Sequence, residues 1–166
     1  MSDWLIVRPA ATSDAGALVR LGRSVAAEGE LWLTYNRSSS DERRNVKSVR
    51  RDPNAAVFVA ESPAGIVGRI SIARDGSIYS HHVAELGLMV AAEERRRGIG
   101  TALMEEAIKW ARGSGVTKLE LHVFTHNEPA IALYRKLGFQ DEGHRRRHYR
   151  IAGHYVDAIL MALYLD

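Results

Sequence analysis

The stretch ELGLMVAAEERRRGIGTALM, residues 85–104, decides the fold of this chain. Its first part, Leu86 to Val90, is an apolar run typical of a buried strand. A short charged turn leads from there to the run RRRGIG at residues 95–100, and Thr101 then opens a helical pattern. Glycines allow a tight bend and the close approach of a ligand, and the first turn of a helix presents unpaired N–H groups that attract anions. The stretch therefore predicts a strand, a phosphate-binding turn and a helix.

Two familiar phosphate-binding turns do not fit this stretch. A dinucleotide-binding turn requires a third glycine where this chain has Leu103. Glu120 lies near the place of the ribose-binding acid, but inside a strand pattern rather than at its end. A kinase-type P-loop requires Gly-Lys-Ser/Thr, and Gly100-Thr101 lacks the lysine. What remains is the pattern Arg-x-x-Gly-x-Gly, which begins at Arg95.

The composition predicts one domain over residues 1–166, with 46% hydrophobic and 26% charged residues, which is ordinary for a globular protein. A net charge of +3 and a pI of about 9.4 suit an anionic ligand but are too weak to argue for nucleic acid. The absence of cysteine excludes disulfides, thiolate nucleophiles and Cys-ligated zinc. With no signal layout and no apolar run of membrane-spanning length, we expect a cytoplasmic protein without a membrane partner.

Periodicity and turn signals predict the order β-α-α-β-β-β-α-β-α-β-β. The predicted strands are residues 4–8, 55–61, 66–73, 82–90, 118–124, 139–150 and 155–164, and the predicted helices begin near residue 14 and at residues 40, 100 and 127. The strand-helix-strand unit implies one parallel pair, whereas the hairpins imply antiparallel pairs. We therefore expect a mixed α/β (α+β) fold, with a mixed, mostly antiparallel twisted sheet of about seven strands and about four helices on its two faces.

A second informative stretch is LELHVFTHNEPAIALYRKLGF, residues 119–139. It resembles the second conserved segment of the GNAT N-acetyltransferases: a strand, then Asn127, then Ala130 and Tyr134 on a helix, then Gly138-Phe139. The first stretch resembles the acetyl-CoA pyrophosphate loop of the same family. Both motifs stand at compatible spacing, so the resemblance covers nearly the whole chain and implies the GNAT fold. The tail resembles a bacterial branch that acetylates amino acids, small amines or protein N-termini.

The resemblance implies a set of acetyl-CoA-binding residues. In the family the fourth strand separates from its neighbour, which leaves backbone groups free for the pantetheine arm and makes the N–H of Val90 an oxyanion donor. The backbone of the glycine turn does most of the phosphate binding, so Gly98 and Gly100 rank above Arg96. The expected cofactor-binding residues are Leu88, Met89, Val90, Arg95, Arg96, Arg97, Gly98, Ile99, Gly100, Thr101, Asn127, Ala130 and Tyr134.

Amide formation from a thioester requires a bound thioester, a neutral amine, a stabilised oxyanion and a protonated leaving sulfur. Positioning supplies much of the rate, so direct attack in a ternary complex needs no protein nucleophile. The resemblance makes Tyr134 the general acid, although the helix pattern alone also fits a core tyrosine. Glu85, near the amine entry, is the expected base and acceptor contact, directly or through water. His81 and His82 are rival bases, and the histidine spacing does not predict a metal site.

The acceptor side is less well defined by the sequence. In the family the connection between the first two helices forms the acceptor wall, where an acid and aromatics would suit a cationic amine. Here these residues are Glu30, Trp32 and Tyr35. The basic run at residues 145–150 fits a solvated edge strand better than a nucleic-acid patch. We expect a small-molecule or peptide amine acceptor, with a non-catalytic acyl-CoA-binding module as the alternative; the oligomeric state stays open, a homodimer included.

Overall fold

The computed structural model describes residues 3–29 and 35–166. In this part of the chain the predicted order of strands and helices is confirmed. The strands are β1 Ile6–Pro9, β2 Ala55–Ser62, β3 Gly65–Arg74, β4 Val83–Val90, β5 Lys118–Phe124, β6 Gln140–Ile151 and β7 His154–Tyr164. The helices are α1 Ala15–Ala27, α2 Ser39–Arg50, α3 Ile99–Gly113 and α4 Glu128–Lys136. The first strand begins two residues later than predicted, because Trp4 lies in a turn before it.

The strands form one mixed sheet in the order β1-β2-β3-β4-β5-β7-β6. Neighbouring strands are antiparallel except β4 and β5, which are parallel because α3 carries the chain back to the starting edge between them. The predicted fold class, including the single parallel pair, is confirmed. None of the described helices is both long and apolar enough to cross a membrane.

Helices cover the two faces of the sheet unequally. On one face, Val57 and Val59 of β2 pack with Leu18 of α1 and Val46 of α2. On the other face, α3 and α4 cover the main core, which includes Ile70, Ile72, Leu86, Leu103, Met104, Leu121, Ile131 and Tyr134. The α1/α2 layer lies over β2, β3 and the end of β4, so the same face of β5 is left as an open platform.

Close packing fixes where α3 begins. A Cβ atom added at Gly68 of β3 would lie 2.9 Å from Leu103 Cδ1 and 3.0 Å from Ile99 Cγ2. Only a glycine therefore lets the first turns of α3 approach the sheet this closely. As a result, the N-terminus of α3 sits directly beside the end of β4.

The parallel pair separates soon after it forms. The β4–β5 ladder joins Val83 with Lys118, Ala84 with Leu119 and Glu85 with Glu120, and it ends there. Beyond Glu85, β4 stays paired with β3, and β5 stays paired with β7. A gap therefore opens in the middle of the sheet between the carboxyl ends of β4 and β5.

Candidate functional site

The turn before α3 has a backbone shape that exposes N–H groups. Arg96 and Gly98 have positive φ angles of 62° and 82°. The N–H of Ala102 donates to the carbonyl of Gly98 over 3.0 Å, which is the first hydrogen bond of the helix. The N–H groups of Ile99, Gly100 and Thr101 therefore have no acceptor inside the helix. Together with the helix dipole, they form a site suited to an anion such as a diphosphate.

The three arginines of this turn have different surroundings. Both terminal nitrogens of Arg95 donate to the carboxylate of Glu28 at 2.7 Å, and its Nε donates to the carbonyl of Val90 at 3.1 Å. Arg95 thus anchors the turn to the end of α1 and to β4. Arg97 pairs with Glu94 and lies 4.2 Å above the ring of Trp4. Arg96 is exposed and, like Arg95, lines the adjacent cavity.

A groove of about 480 Å³ runs from this turn to the gap in the sheet. Its described lining includes Val25, Leu88, Met89, Val90, Arg95, Arg96, Gly98, Ile99, Gly100, Thr101, Asn127, Ala130, Leu133 and Tyr134, and Arg97 is not among these lining residues. A Cβ added at Gly100 would lie 3.0 Å from Leu133 Cδ2, so α3 and α4 approach closely here. The groove therefore contains the anion site and passes the close contact between α3 and α4.

Backbone groups of β4 face the gap at the other end of the groove. The N–H of Ala91 donates to the carbonyl of Val67 at 2.9 Å, so residues of odd number along β4 bond to β3. In an antiparallel ladder the alternate residues present their backbone groups to the opposite side. Leu88 and Val90 therefore direct their N–H groups towards the gap. The carbonyl of Val90 already accepts from Arg95, which leaves its N–H as the group available to a ligand.

A second cavity of about 770 Å³ lies on the platform side of the sheet. Its described lining includes Arg37, Arg69, Ser71, Glu85, Gly87, Glu120, His122, Phe124 and Tyr149. The two cavities share Leu88, Asn127 and Tyr134 as lining residues. A ligand in the groove and a ligand on the platform would therefore meet at the gap.

Tyr134 lies at this meeting point on α4. Its side chain is buried and its ring packs 5.8 Å from the ring of Phe139. Burial raises the pKa of Tyr134 to about 12, so the phenol keeps its proton at neutral pH. Asn127 caps the same helix, since its Oδ1 accepts from the N–H of Ala130 at 3.4 Å. Tyr134 can therefore pack in the core and also serve as a proton donor.

His122 is a residue of the platform that the sequence reasoning did not choose as a base. Its Nδ1 lies 3.8 Å from Glu85 Oε1, and its Nε2 is buried without a hydrogen-bond partner in the described part of the chain. Burial lowers the pKa of His122, the charges of Arg145 and His148 lower it further, and those of Glu85 and Glu120 oppose them. A neutral imidazole able to accept a proton therefore stands beside an exposed carboxylate.

A buried ionic cluster forms the wall of the platform cavity under α2. Glu42 is fully buried. Its carboxylate forms ion pairs with Arg69 Nη1 at 3.1 Å and Arg37 Nη1 at 3.3 Å, and it accepts a hydrogen bond from the hydroxyl of Tyr35. Arg69 also donates from Nε to Ser71 Oγ at 3.2 Å. Burial alone would raise the pKa of Glu42, but the Tyr35 hydrogen bond and the two arginines hold it below its ordinary value. The cluster therefore places two charged guanidinium groups at the cavity wall.

Comparison with known proteins identifies the family of this fold. Residues 25–139 match the family model described as the acetyltransferase (GNAT) family. The chain belongs to the GNAT family. Members of this family use acetyl-CoA as their acetyl donor. The predicted family is thereby confirmed, and with it the class of enzyme, an acyltransferase.

Several GNAT proteins resemble the chain over nearly its full length. It is 31% identical over 163 residues to the L-amino acid N-acetyltransferase AaaT of Escherichia coli, and the match covers 95% of this chain and 96% of that one. A GNAT acetyltransferase structure from Streptococcus pneumoniae is 29% identical, with a TM-score of 0.91 and coverage of 97% of this chain and 99% of that one. An acetyltransferase from Salmonella typhimurium, solved with acetyl-CoA, shares the fold at 18% identity, a TM-score of 0.91 and coverage of 99% and 95%.

The GNAT structure brings most of the predicted site residues together and separates a few. Tyr134, the predicted acid, and Glu85, the predicted base, line one cavity. Glu30 and Trp32 lie outside the described residues. Tyr35 lies behind the cavity wall, where it bonds to Glu42. The predicted rivals His81 and His82 are not among the described residues that line either main cavity.

His122, Arg69 and Arg37 were missed as site residues. For His122 a signal existed, since the alternation of β5 places it on the same side as Glu120. No local pattern marks Arg69, which reads as one polar residue in an apolar strand. Among the described residues no group of three His, Cys, Asp or Glu side chains is arranged to hold a metal ion.

Proposed function

We propose that this GNAT protein transfers the acetyl group of acetyl-CoA directly to a primary amine in a ternary complex. The observation that carries the proposal is the meeting of two cavities at Leu88, Asn127 and Tyr134. One cavity has the anion site at the start of α3, and the other has charged side chains on its walls. Two substrates bound on opposite faces of the sheet would therefore come into contact only at the gap.

The residues around the groove fit acetyl-CoA. The exposed N–H groups at the start of α3 suit the diphosphate, and Arg96 adds a charge at the same place. Gly100 keeps the passage between α3 and α4 open, since a side chain there would meet Leu133 at 3.0 Å. The unpaired edge of β4 at Leu88 and Val90 suits the amide groups of a pantetheine arm. Bound there, acetyl-CoA supplies an acetyl group activated as a thioester.

The chain's own groups then serve the transfer in two ways. The N–H of Val90 points into the gap and is placed to donate to an oxygen that gains negative charge. The neutral phenol of Tyr134 is placed to donate a proton to a leaving thiolate, which its pKa of about 12 permits because the proton stays bound until then. The sequence contains no cysteine, and direct transfer to the amine requires none.

The amine has to lose a proton, and we propose that His122, together with Glu85, accepts this proton. His122 is neutral at pH 7 because burial and the nearby arginine lower its pKa. Glu85 Oε1, 3.8 Å from Nδ1, is placed to stabilise the imidazolium that forms.

Release of CoA thiol over a panel of primary amines tests the proposal. The panel comprises free amino acids, polyamines, aminoglycosides and peptide N-termini, and we expect turnover with at least one class. Tyr134→Phe should lower kcat about 100-fold and leave the Kd of acetyl-CoA within about twofold, because the lost hydroxyl donates only during transfer. Tyr155→Phe, an exposed tyrosine on β7, is the matched control. Acetyl-CoA binding without turnover on any amine would instead favour a non-catalytic acyl-CoA-binding module.

A further inference from the structure

The platform cavity separates positive from negative charge along its length. Arg37 and Arg69 stand at the wall under α2. Glu85 and Glu120 lie on β4 and β5 on the far side, together with His122, and Arg74 and Asp75 line the cavity at the end of β3. The far side therefore carries three carboxylates against one guanidinium. The register shows that Arg69 and Glu85 share one face of the sheet, since Arg69 pairs with Met89 and Glu85 with Ala73. The cavity is therefore dipolar, with an anion-attracting wall facing a cation-attracting one.

The arginine wall keeps a net positive charge and a fixed shape. Two guanidinium groups share one carboxylate, Glu42, so one positive charge is left without an acidic partner in this cluster. Arg69 is 8% exposed, and its Nε is fixed by Ser71. Arg37 is the more exposed member, with 45% of its side chain accessible. The planar, bidentate geometry of guanidinium groups suits carboxylate recognition.

The arginine wall also lies close to the point of transfer. Met89, the register partner of Arg69, is the chain neighbour of Leu88, which lines both cavities. Arg69 Nε bonds to Ser71, whose register partner is Gly87, and continuing the Glu85–Glu120 register by two residues puts His122 at about the level of Gly87. The arginine wall and His122 therefore face each other across β4, about two strand spacings or ~10 Å apart. An amine and a carboxylate attached to the same carbon reach about that far once each end makes a hydrogen bond of about 2.9 Å. A polyamine has no carboxylate, so it would leave the arginine wall without a binding partner.

We propose that the acceptor is a free α-amino acid, whose carboxylate is bound by Arg37 and Arg69 while its amine faces His122 and Glu85. The proposal rests on the proposed acetyl transfer and names its substrate class. Buried Glu42 serves as a positioning residue, because it aligns both guanidinium groups without touching the acceptor. Of the acidic and aromatic acceptor wall expected from the sequence, Glu30 and Trp32 lie outside the described residues, and the described part of the cavity wall presents Arg37 and Arg69.

Matched acceptor pairs test the carboxylate site. Thiol release is measured with the L-amino acids and with their α-carboxamides, which keep the amine and the side chain but lose the negative charge. We expect kcat/KM to favour the best free acid over its amide by at least about 30-fold. Arg37→Gln should reduce this preference about tenfold, mainly through KM for the acid, and leave KM for the amide unchanged. Arg44→Gln replaces an exposed arginine of α2 that pairs with Asp41, and it should change neither the preference for the acid nor the KM for the amide.

Stability and binding measurements keep the test decisive for variants that are less stable than the wild type. Arg69→Gln removes the buried partner of Glu42, so its thermal unfolding and acetyl-CoA affinity are measured beside the kinetics. Calorimetric binding of the free amino acid to CoA-saturated protein gives a readout that does not need turnover. If kcat/KM is as high for the amide as for the acid, or if Arg37→Gln leaves the Kd of the acid unchanged, the proposed carboxylate site is wrong, although the proposed acetyl transfer still stands. Absence of thiol release with every amine would overturn the transfer itself, and the binding assay would still decide the carboxylate site.

Discussion

Replacing Glu42 by Gln should destabilise the protein strongly although the change removes only a charge. Glu42 is fully buried and is bonded to Tyr35, Arg37, Arg69 and Asn45, the last at 3.3 Å. Glutamine has nearly the same shape and keeps one oxygen acceptor. It cannot balance the charge of Arg69, however, which would remain buried beside a neutral amide.

The size of the effect follows from the burial of each partner. Breaking a buried ion pair by removing one charge typically costs about 3–5 kcal/mol. Arg37 is 45% exposed and can turn towards water, so its share of that cost is small. Arg69 cannot do so, because it is 8% exposed. We therefore expect a loss of about 2–4 kcal/mol in the free energy of unfolding, or a Tm lower by about 5–15 °C for a chain of this size.

The pH dependence of this loss has a definite sign. The surroundings lower the pKa of Glu42 from its ordinary 4.5. A lowered pKa in the folded state means that the charge stabilises the protein above the unfolded pKa, and that this stability is lost as the pH falls through the folded value. The difference between wild type and Glu42→Gln should therefore be full at pH 7 and shrink below about pH 4.5.

Urea unfolding at pH 7 and at a series of lower pH values measures both quantities. Glu105→Gln, at an exposed position of α3, is the matched control and should change stability by less than about 0.5 kcal/mol. If Glu42→Gln lowers the free energy of unfolding at pH 7 by less than about 0.5 kcal/mol, the ionic cluster does not stabilise the fold as argued. A loss independent of pH would mean that shape rather than charge is responsible.

Three further predictions concern the transfer site. Gly98→Ala should weaken acetyl-CoA binding about fivefold in calorimetry, because alanine strains the positive φ of 82°, whereas Gly113→Ala, at a glycine without positive φ, should have no effect. Glu28→Gln should weaken acetyl-CoA binding about three- to tenfold without changing KM for the amine, since its carboxylate anchors the turn. His122→Gln should lower kcat about 100-fold and remove the decline in kcat/KM on the acid side of neutral pH; an unchanged profile, like that expected for exposed His154→Gln, would exclude it as the base.

Local patterns were sufficient to predict the elements that build the donor groove. The alternation Leu119, Leu121, Val123 places β5 at Lys118–Phe124, the bounds that the structure has. The single apolar face of α3 and the glycines before it placed the turn correctly. These signals work because each depends on neighbours within one turn of helix or one strand, where period and propensity act directly.

The acceptor side could not be predicted in the same way, because its contacts join distant parts of the chain. The Arg69–Glu42 pair links β3 to α2, and neither residue stands out in its own segment. The three neighbouring arginines from Arg95 to Arg97 show the same limit. They are alike in sequence, yet Arg95 bonds to Glu28, 67 positions away, and its role depends on that contact. The position of His122 beside Glu85 likewise depends on where the parallel ladder ends.

The groove and the platform cavity are lined mostly by different residues, and under the proposed function this has a consequence for specificity. In that proposal acetyl-CoA is bound mainly by backbone groups of β4 and of the turn before α3, with Arg96, Asn127 and Tyr134 as side-chain contacts. The proposed acceptor is bound by side chains on the opposite face, from β3 and from the segment that leads into α2. A change at Arg37 or Arg69 can therefore alter the acceptor without moving the turn at Gly98. Conversely, we expect the anchoring of that turn by Glu28 to hold the proposed donor in place whatever amine enters, because the lining residues that the two cavities share in the described part of the chain lie around the gap between β4 and β5.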